Sequence, residues 1–281
     1  MTQTEKIING KKIAERIKDE ITLNIFNNKD RRPSLAIILV GDRPDSELYV
    51  SLKQREAKKV GIDTHLYRLD AESSEKDLLS VIHFLNQDEA IDAILLQLPL
   101  PASFEADKMI AAINPVKDAD GFHPDHPDYV ISPVMAAVNF IVKDKKIKGR
   151  VCVFYRSEIF GRALGQSLTE LSLKVDLIPV SANDDPRTDK ALQATLVKVS
   201  QEADLIVSAL GLPGFIKQNY LKKDALIIDI GITNEAGVVR GDADLNDCLA
   251  MVTGITPVPG GIGPMTIAFL FKNVWEIYRR R

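Results

Sequence analysis

The sequence predicts an α/β protein whose parallel strands are covered by helices on both faces. Short apolar runs rich in leucine and β-branched residues recur along the chain, with amphipathic segments of helical period between them. Strands buried on both faces need such near-continuous runs, whereas half-exposed strands alternate apolar with polar residues. The pattern also divides. Between Asn114 and about Lys148, NPVKDADGFHPDHPDYVISP is rich in Pro and Asp and has no clear period, which reads as a crossing between two α/β domains.

Before the crossing, SLAIILVG, THLYRL and AILLQLPLP read as strands, and DSELYVSLKQREAKKVG and SEKDLLSVIHFLNQ as helices, the first opening near Asp45 or Ser46. A connecting helix is expected near Val134 to Lys143. RVCVFYR, KVDLIPV, DLIVSAL and ALIIDIG then read as the strands of the second domain. The segment MTIAFLFKNVWEIYRRR reads as a helix beginning after Pro264, with Ile267, Leu270, Phe271 and Trp275 at helical spacing. A helix that apolar must dock, and the first domain is the expected place. No internal repeat or low-complexity tract interrupts the pattern.

The chain of 281 residues, 45% hydrophobic and 27% charged, has the composition of a globular protein and room for two modest domains. A net charge of −3 gives no field that would recruit nucleic acid or an anionic membrane. The two cysteines, Cys152 in an apolar strand and Cys248 in a helical stretch, form neither a disulfide framework nor a metal knuckle. MTQTEKIINGKKIAERIKDEI lacks the apolar core of a signal peptide, and no stretch approaches the ~20 apolar residues of a membrane span. These features place the protein in the cytoplasm.

Five stretches have the makings of chemistry. In DSELYVSLKQRE the spacing of Tyr49 to Lys53 puts a phenol and an ammonium on one helical face, where desolvation would lower the lysine pKa toward proton transfer. An exposed lysine beside a half-buried tyrosine is the plain alternative. The same spacing occurs in short-chain dehydrogenases, but their glycine-rich turn precedes the Tyr-Lys pair, and here the candidate turn follows it. Gln97 is the single polar residue in DAILLQLPLP, so its amide needs a partner, either a ligand or a loop backbone.

KDADGFHPDHPD gathers Asp118, Asp120, Asp125 and Asp128 with two histidines. Its prolines rule out a helical ligand face, so a carboxylate accepting hydrogen bonds from a heterocycle is a better reading than a metal site. TPVPGGIGPMT, between a strand and the last helix, has a nearly fixed path that lets ligand atoms approach its backbone. VCVFYRSEIFGRALG runs from a buried strand through a polar turn into a helix, as a nucleotide-binding turn does, except that Tyr155 stands where glycine is usual.

In chain order, SELYVSLK, LLQLPLP, KDADGFH, YRSEIFGR, DIGIT and TPVPGGIGPMT resemble the motifs of the bifunctional methylenetetrahydrofolate dehydrogenase/methenyltetrahydrofolate cyclohydrolase family. The resemblance spans nearly the whole chain. It implies that Lys53 is the catalytic lysine of the cyclohydrolase step, that Gln97 holds it in its working state, that Tyr49 lies against the folate and that Asp120 binds the pterin edge. Leu98, Pro259, Gly260 and Gly263 would line the folate cleft. Tyr155, Arg156, Ser157, Gly161 and Ile232 would contact the cofactor, NADP or alternatively NAD, in a Rossmann-type doubly wound second domain. No metal is implied.

On this reading residues 1–118 and 265–281 form the folate-binding domain, residues 119–264 form the nucleotide domain, and the protein is a homodimer acting on tetrahydrofolate derivatives. Departures from the family pattern cluster on the nucleotide side: Tyr155 for glycine, Phe160 and Ala163 for Val and Pro, and Pro179-Val180-Ser181-Ala182 for a His-Ser-Arg/Lys-Thr stretch. A further one, Ile131-Ser132-Pro133 for Cys-Thr-Pro, lies outside it. Two alternatives follow: a cyclohydrolase with a degenerate cofactor site, or a folate-binding or dimerisation module without activity. Intact Lys53, Gln97 and Asp120 argue against the second.

Overall fold

The computed structural model describes residues 3–281. In chain order the elements are α1 (Gln3–Lys6), α2 (Gly10–Asn27), β1 (Ser34–Val40), α3 (Pro44–Val60), β2 (Asp63–Leu69), α4 (Glu75–Gln87), β3 (Ala93–Leu96), α5 (Ala106–Ala111) and α6 (Pro133–Asp144). They continue with β4 (Arg150–Tyr155), α7 (Glu158–Glu170), β5 (Lys174–Pro179), α8 (Lys190–Ser200), β6 (Leu205–Ala209) and β7 (Leu226–Asp229). The chain then forms β8 (Thr233–Glu235), β9 (Val238–Arg240), α9 (Leu245–Cys248), β10 (Gly254–Ile255) and α10 (Ile262–Tyr278). All seven expected strands are present.

The chain divides into two compact units, one of residues up to Ile13 with Val134–Thr266, the other of Ala14–Pro133 with Ile267–Arg281. These divisions differ from the expected 1–118 and 119–264. The first residues join the second half of the chain because Ile8 donates its N–H to the Ile255 carbonyl at 2.8 Å and Ile7 bridges the same residue. The Pro/Asp-rich stretch to Pro133 stays with the first half because Asn273 of α10 donates to the carbonyls of Ala119 and Ile131 at 2.9 and 2.8 Å.

The unit of residues 14–133 and 267–281 holds a parallel sheet of order β2-β1-β3. Every residue of β1 and β3 is buried, as their unbroken apolar runs require, and Ala36, Ile38, Ile94, Leu78, Ile82 and Met109 pack in one core cluster. α4 is started by a capping box in which Ser74 and Asp77 satisfy each other's backbone N–H. α10 begins at Ile262, earlier than expected, because a proline is accepted in a first helical turn, where its missing N–H has no partner to lose.

Asp92, wholly buried before β3, accepts from both terminal nitrogens of Arg31 at 2.6 and 2.7 Å, from the Ser34 N–H at 2.8 Å and from Arg281 at 2.8 Å. It forms one wall of a polar cavity of about 590 Å³ that includes Asn24, Trp275 and Tyr278 and none of the expected site residues. In Asp92→Ala the arginines, half-exposed, turn to water, but the buried Ser34 N–H loses its acceptor. A loss of about 1–3 kcal/mol is expected, read as an earlier urea transition; an unmoved transition would refute the role.

The other unit holds a five-stranded parallel sheet of order β10-β7-β6-β4-β5. Numbered within the unit, this is the doubly wound order 2-1-3-4-5, in which the chain leaves β4 to one side for β5 and returns on the other side for β6. Such sheets open a crevice outside the carboxyl ends of the two strands at the reversal. Here those ends are Tyr155 of β4 and Ala209 of β6, paired in register. Cys152, Phe154, Ile206, Ile227 and Ile255 are buried in one core cluster, and β8 and β9 form an antiparallel hairpin.

Candidate active site

In the unit of residues 14–133 and 267–281, α3 starts with Pro44 in its first turn and stops at Gly61, whose φ of +88° ends it in the left-handed conformation. Ser46, Val50, Ala57 and Val60 form its buried stripe, leaving Tyr49 and Lys53, one turn apart, half-buried on an adjoining face. The Lys53 Nζ donates to Gln97 Oε1 at 2.8 Å. Gln97 is the residue just past β3. Its N–H donates to the Ile38 carbonyl at 2.9 Å and its Nε2 to the Leu98 carbonyl at 2.6 Å, so the amide oxygen is turned toward the lysine. Leu98, half-buried, precedes a cis Leu98–Pro99 bond.

KDADGFH divides its work. Lys117 donates to the carbonyls of Leu85 and Asp88 at 2.9 and 2.8 Å, closing the end of α4. Asp118 accepts from the N–H groups of Asp120 and His123 at 3.0 and 2.8 Å. Gly121 has φ +64°, and a Cβ there would lie 2.8 Å from the Ser132 nitrogen, so the turn requires glycine. These fixings leave Asp120 as the carboxylate presented beside Lys53.

Burial pushes the Asp120 carboxyl up to about 6, opposed by Lys53 and reinforced by Asp118. Burial also lowers the Lys53 ammonium below its ordinary value, against the attraction of Asp120. The Tyr49 phenol is raised, mainly by burial and then by Asp45. An amine eased toward neutrality, an amide that orients it and a carboxylate that titrates near neutral pH are the equipment of proton transfer.

In the other unit, Tyr155, Arg156, Ser157 and Gly161 meet at the crevice end of β4. The sequence reading expects Tyr155 to contact the cofactor. The structure instead turns the ring inward: it is 4% exposed, and a Cβ on Gly161 would lie 2.4 Å from it. Gly161 thus provides the close helix–strand approach that the third glycine of such a turn serves. Ser157 caps α7 by accepting from the Phe160 N–H, and the N-terminus of this 13-residue helix carries the partial positive charge that suits a phosphate.

Arg156 donates from its two terminal nitrogens to the carbonyls of Ala182 and Asp184 at 3.0 and 3.2 Å, while its Nε is buried without a partner. Across the crevice, Gly211 follows β6 with φ +68° and only Thr233 Oγ1 within 4 Å of a Cβ position, leaving backbone open to a ligand. Ile232 is 45% exposed after β7. The capped helix, the open glycine turn and the unpaired Nε fit a dinucleotide.

Pro259, Gly260 and Gly263 belong to this same unit. Gly260 has φ +108° and accepts from the Lys11 N–H at 3.2 Å, and a Cβ on Gly10 would lie 1.8 Å from the Gly261 oxygen. The structure therefore brings together Tyr49, Lys53, Gln97, Leu98 and Asp120 in one unit and Tyr155, Arg156, Ser157, Gly161, Ile232, Pro259, Gly260 and Gly263 in the other. Sequence reading missed Asn273, whose signal was an amide inside an apolar helix, Asp229, whose signal was an aspartate closing the apolar run ALIIDIG, and Asp242, which had no such signal.

Two family models match. The tetrahydrofolate dehydrogenase/cyclohydrolase catalytic domain covers residues 8–120, and the NAD(P)-binding domain of the same family covers residues 132–281. The chain belongs to this family. It is 34% identical to the bifunctional protein FolD of Aquifex aeolicus over 98% of the chain and 96% of that protein, and 37% identical to that of Geotalea uraniireducens over 98% and 99%. Among solved structures, the Campylobacter jejuni FolD methylenetetrahydrofolate dehydrogenase/cyclohydrolase aligns with a TM-score of 0.87 at 30% identity, covering 97% of this chain and 98% of that one. The Trypanosoma brucei family member, solved with NADP and an inhibitor, gives 0.87 at 27% identity over 98% and 97%. Both halves of the family pattern, folate and nucleotide, are thus present in one chain.

Proposed function

We propose that the protein oxidises 5,10-methylenetetrahydrofolate with NADP or NAD and hydrolyses the resulting 5,10-methenyl cation to 10-formyltetrahydrofolate. The observation that carries this is the Lys53–Gln97 hydrogen bond with Asp120 beside it, in a chain that also carries a complete nucleotide-binding half. A cyclohydrolase with a degenerate cofactor site is not favoured: the family's NAD(P)-binding domain matches residues 132–281, and Tyr155, the foremost of the departures that suggested it, is turned into the interior.

A bound nicotinamide supplies the hydride acceptor for the first step. Arg156, Ser157 and the start of α7 hold its phosphates, with Gly161 and Tyr155 packing the helix on the strand and Ile232 lying against the cofactor. In the second step water adds to the methenyl carbon, the bond from that carbon to N5 breaks, and one proton is released overall. Lys53 takes a proton from the water and returns it to the departing nitrogen. Gln97 keeps one N–H of Lys53 occupied and so aims the rest of the amine. Tyr49 and Leu98 flank the folate, and Asp120 accepts from the pterin N–H groups.

Mixing the protein with methylenetetrahydrofolate and either nucleotide, while assaying methenyl hydrolysis in parallel, tests both activities; hydrolysis without nucleotide reduction would return the monofunctional reading. Asp120 supplies a further test. Its carboxylate is the form that accepts pterin donors, and with a pKa of about 6 it is lost as pH falls through that value. The KM for methylenetetrahydrofolate is therefore expected to rise below about pH 6, and Asp120→Asn should flatten that limb. A KM equally steep in the variant would assign the titration elsewhere.

No helix among the described residues is long and apolar enough to cross a membrane, and both cysteines are buried free thiols. These support the cytoplasm as the site of action. The family resemblance supports a homodimer, and a net charge of −3 supports one that engages no nucleic acid; a monomer mass by light scattering would overturn the dimer.

A further inference from the structure

At the crevice end of the five-stranded sheet, two buried carboxylates interlock with two glycines. Asp242, with no exposed surface, follows β9; Asp229, 2% exposed, ends β7. A Cβ on Gly231 would lie 2.2 Å from the Asp242 carboxyl carbon, and one on Gly241 would lie 2.2 Å from Asp229 Oδ2. Each acid therefore occupies space that a glycine in the other's loop leaves empty. Asp229 accepts from the N–H groups of Gly231 and Ala243 at 2.9 and 2.8 Å, which fixes the loop carrying Asp242 onto the end of β7.

Asp242 in turn holds the segment that leaves β6. Its Oδ2 accepts from Ser208 Oγ at 2.6 Å and from the Leu210 N–H at 2.7 Å, and its Oδ1 accepts from the Leu212 N–H at 2.6 Å. The N–H groups of the residues on either side of Gly211 thus point inward at one carboxylate, and exposed Gly211 between them is the residue left at the crevice. Three hydrogen bonds of 2.6–2.7 Å converge on its two oxygens, so this one side chain sets the path of three residues.

We propose that Asp242 is a positioning residue for the dinucleotide, holding the Leu210–Leu212 turn in the shape the cofactor meets. The proposal rests on the reading of the β4/β6 crevice as the nucleotide site. A merely structural acid, replaced, would lower stability and leave cofactor and folate kinetics in proportion. A positioning acid separates them.

The test is fluorescence titration of wild type and Asp242→Asn with NADPH and NADH, with steady-state kinetics of both reactions. The amide keeps the volume but faces at least one of the three donors with its own N–H. The Kd and KM for nucleotide are expected to rise at least tenfold, with kcat at saturating nucleotide and methenyl hydrolysis within twofold of wild type. A nucleotide Kd unchanged in Asp242→Asn, or a matched fall in both activities, overturns the proposal.

If Asp242→Asn does not fold, Gly211→Ala takes its place. A Cβ there meets no atom closer than 3.8 Å, so only the turn's left-handed conformation is strained. A several-fold weaker nucleotide affinity at near-native thermal stability supports the proposal, and an unaltered affinity refutes it. Wild type that binds neither nucleotide would instead sink the reading of the crevice.

Discussion

Replacing Lys53 with methionine is expected to slow methenyltetrahydrofolate hydrolysis on the order of 10²–10⁴-fold, the range of a positioned proton-transfer group, while nucleotide affinity stays at the wild-type value. Methionine keeps the length of the side chain and fills the half-buried site without the amine, so packing around α3 changes little. What disappears is the one group there that combines a lowered ammonium pKa with an oriented N–H. Gln97→Glu offers a graded companion. Its carboxylate would pair with Lys53 and hold it protonated, so the pH limb of hydrolysis should move upward. Hydrolysis by Lys53→Met at the wild-type rate would remove the lysine from the mechanism.

The second large effect is expected from Gly161→Ala. The new methyl would sit 2.4 Å from the Tyr155 ring, and that ring, 4% exposed, has little room to retreat. Overpacking of this kind costs about 1–3 kcal/mol. The cost here falls on the first turn of α7, whose N–H groups are needed for phosphate. Nucleotide affinity should drop about tenfold or more if the full strain is relieved by lifting the helix, since ~1.4 kcal/mol is a factor of ten. In a Tyr155→Ala background the same methyl should cost almost nothing, because the space it enters has been vacated. Equal losses in both backgrounds would show that Tyr155 and Gly161 do not act as a packed pair.

The strands were legible as short runs rich in leucine and β-branched residues; β1, β3 and β7 are completely buried, whereas β2 and β5 carry polar residues and are only partly buried. The two residues of β10 and the three-residue strands of the β8–β9 hairpin are too short for any period to show. Gln97 was legible as the one polar residue in an apolar run, Lys53 through its helical spacing from Tyr49, and both, with Asp120, through the family motifs. Tyr155 was misjudged because a residue type does not reveal which way the side chain turns at a strand end; the glycine six residues on, where the ring lies, was the clue. Asp242 sits in the polar run GDADLND, where nothing in the sequence separates a fully buried acid from solvated ones. The division near Ile13 was hidden for a related reason: backbone pairing of Ile7 and Ile8 with Ile255 and of Lys11 with Gly260, not composition, decides which half of the chain the first residues join.

Those first residues and α10 have a consequence for biosynthesis. Each compact unit takes one segment from near the start of the chain and another from beyond residue 134. A ribosome adds about 5–20 residues per second, and domains generally fold as they emerge. Here the three-stranded sheet can form early, but its loop at Ala119 and Ile131 waits for Asn273 to clamp it. The five-stranded sheet likewise waits for Ile255 before the segment around Ile8 can be seated. The two units therefore finish nearly together, and a nascent chain stopped at about residue 250 would hold neither in final form.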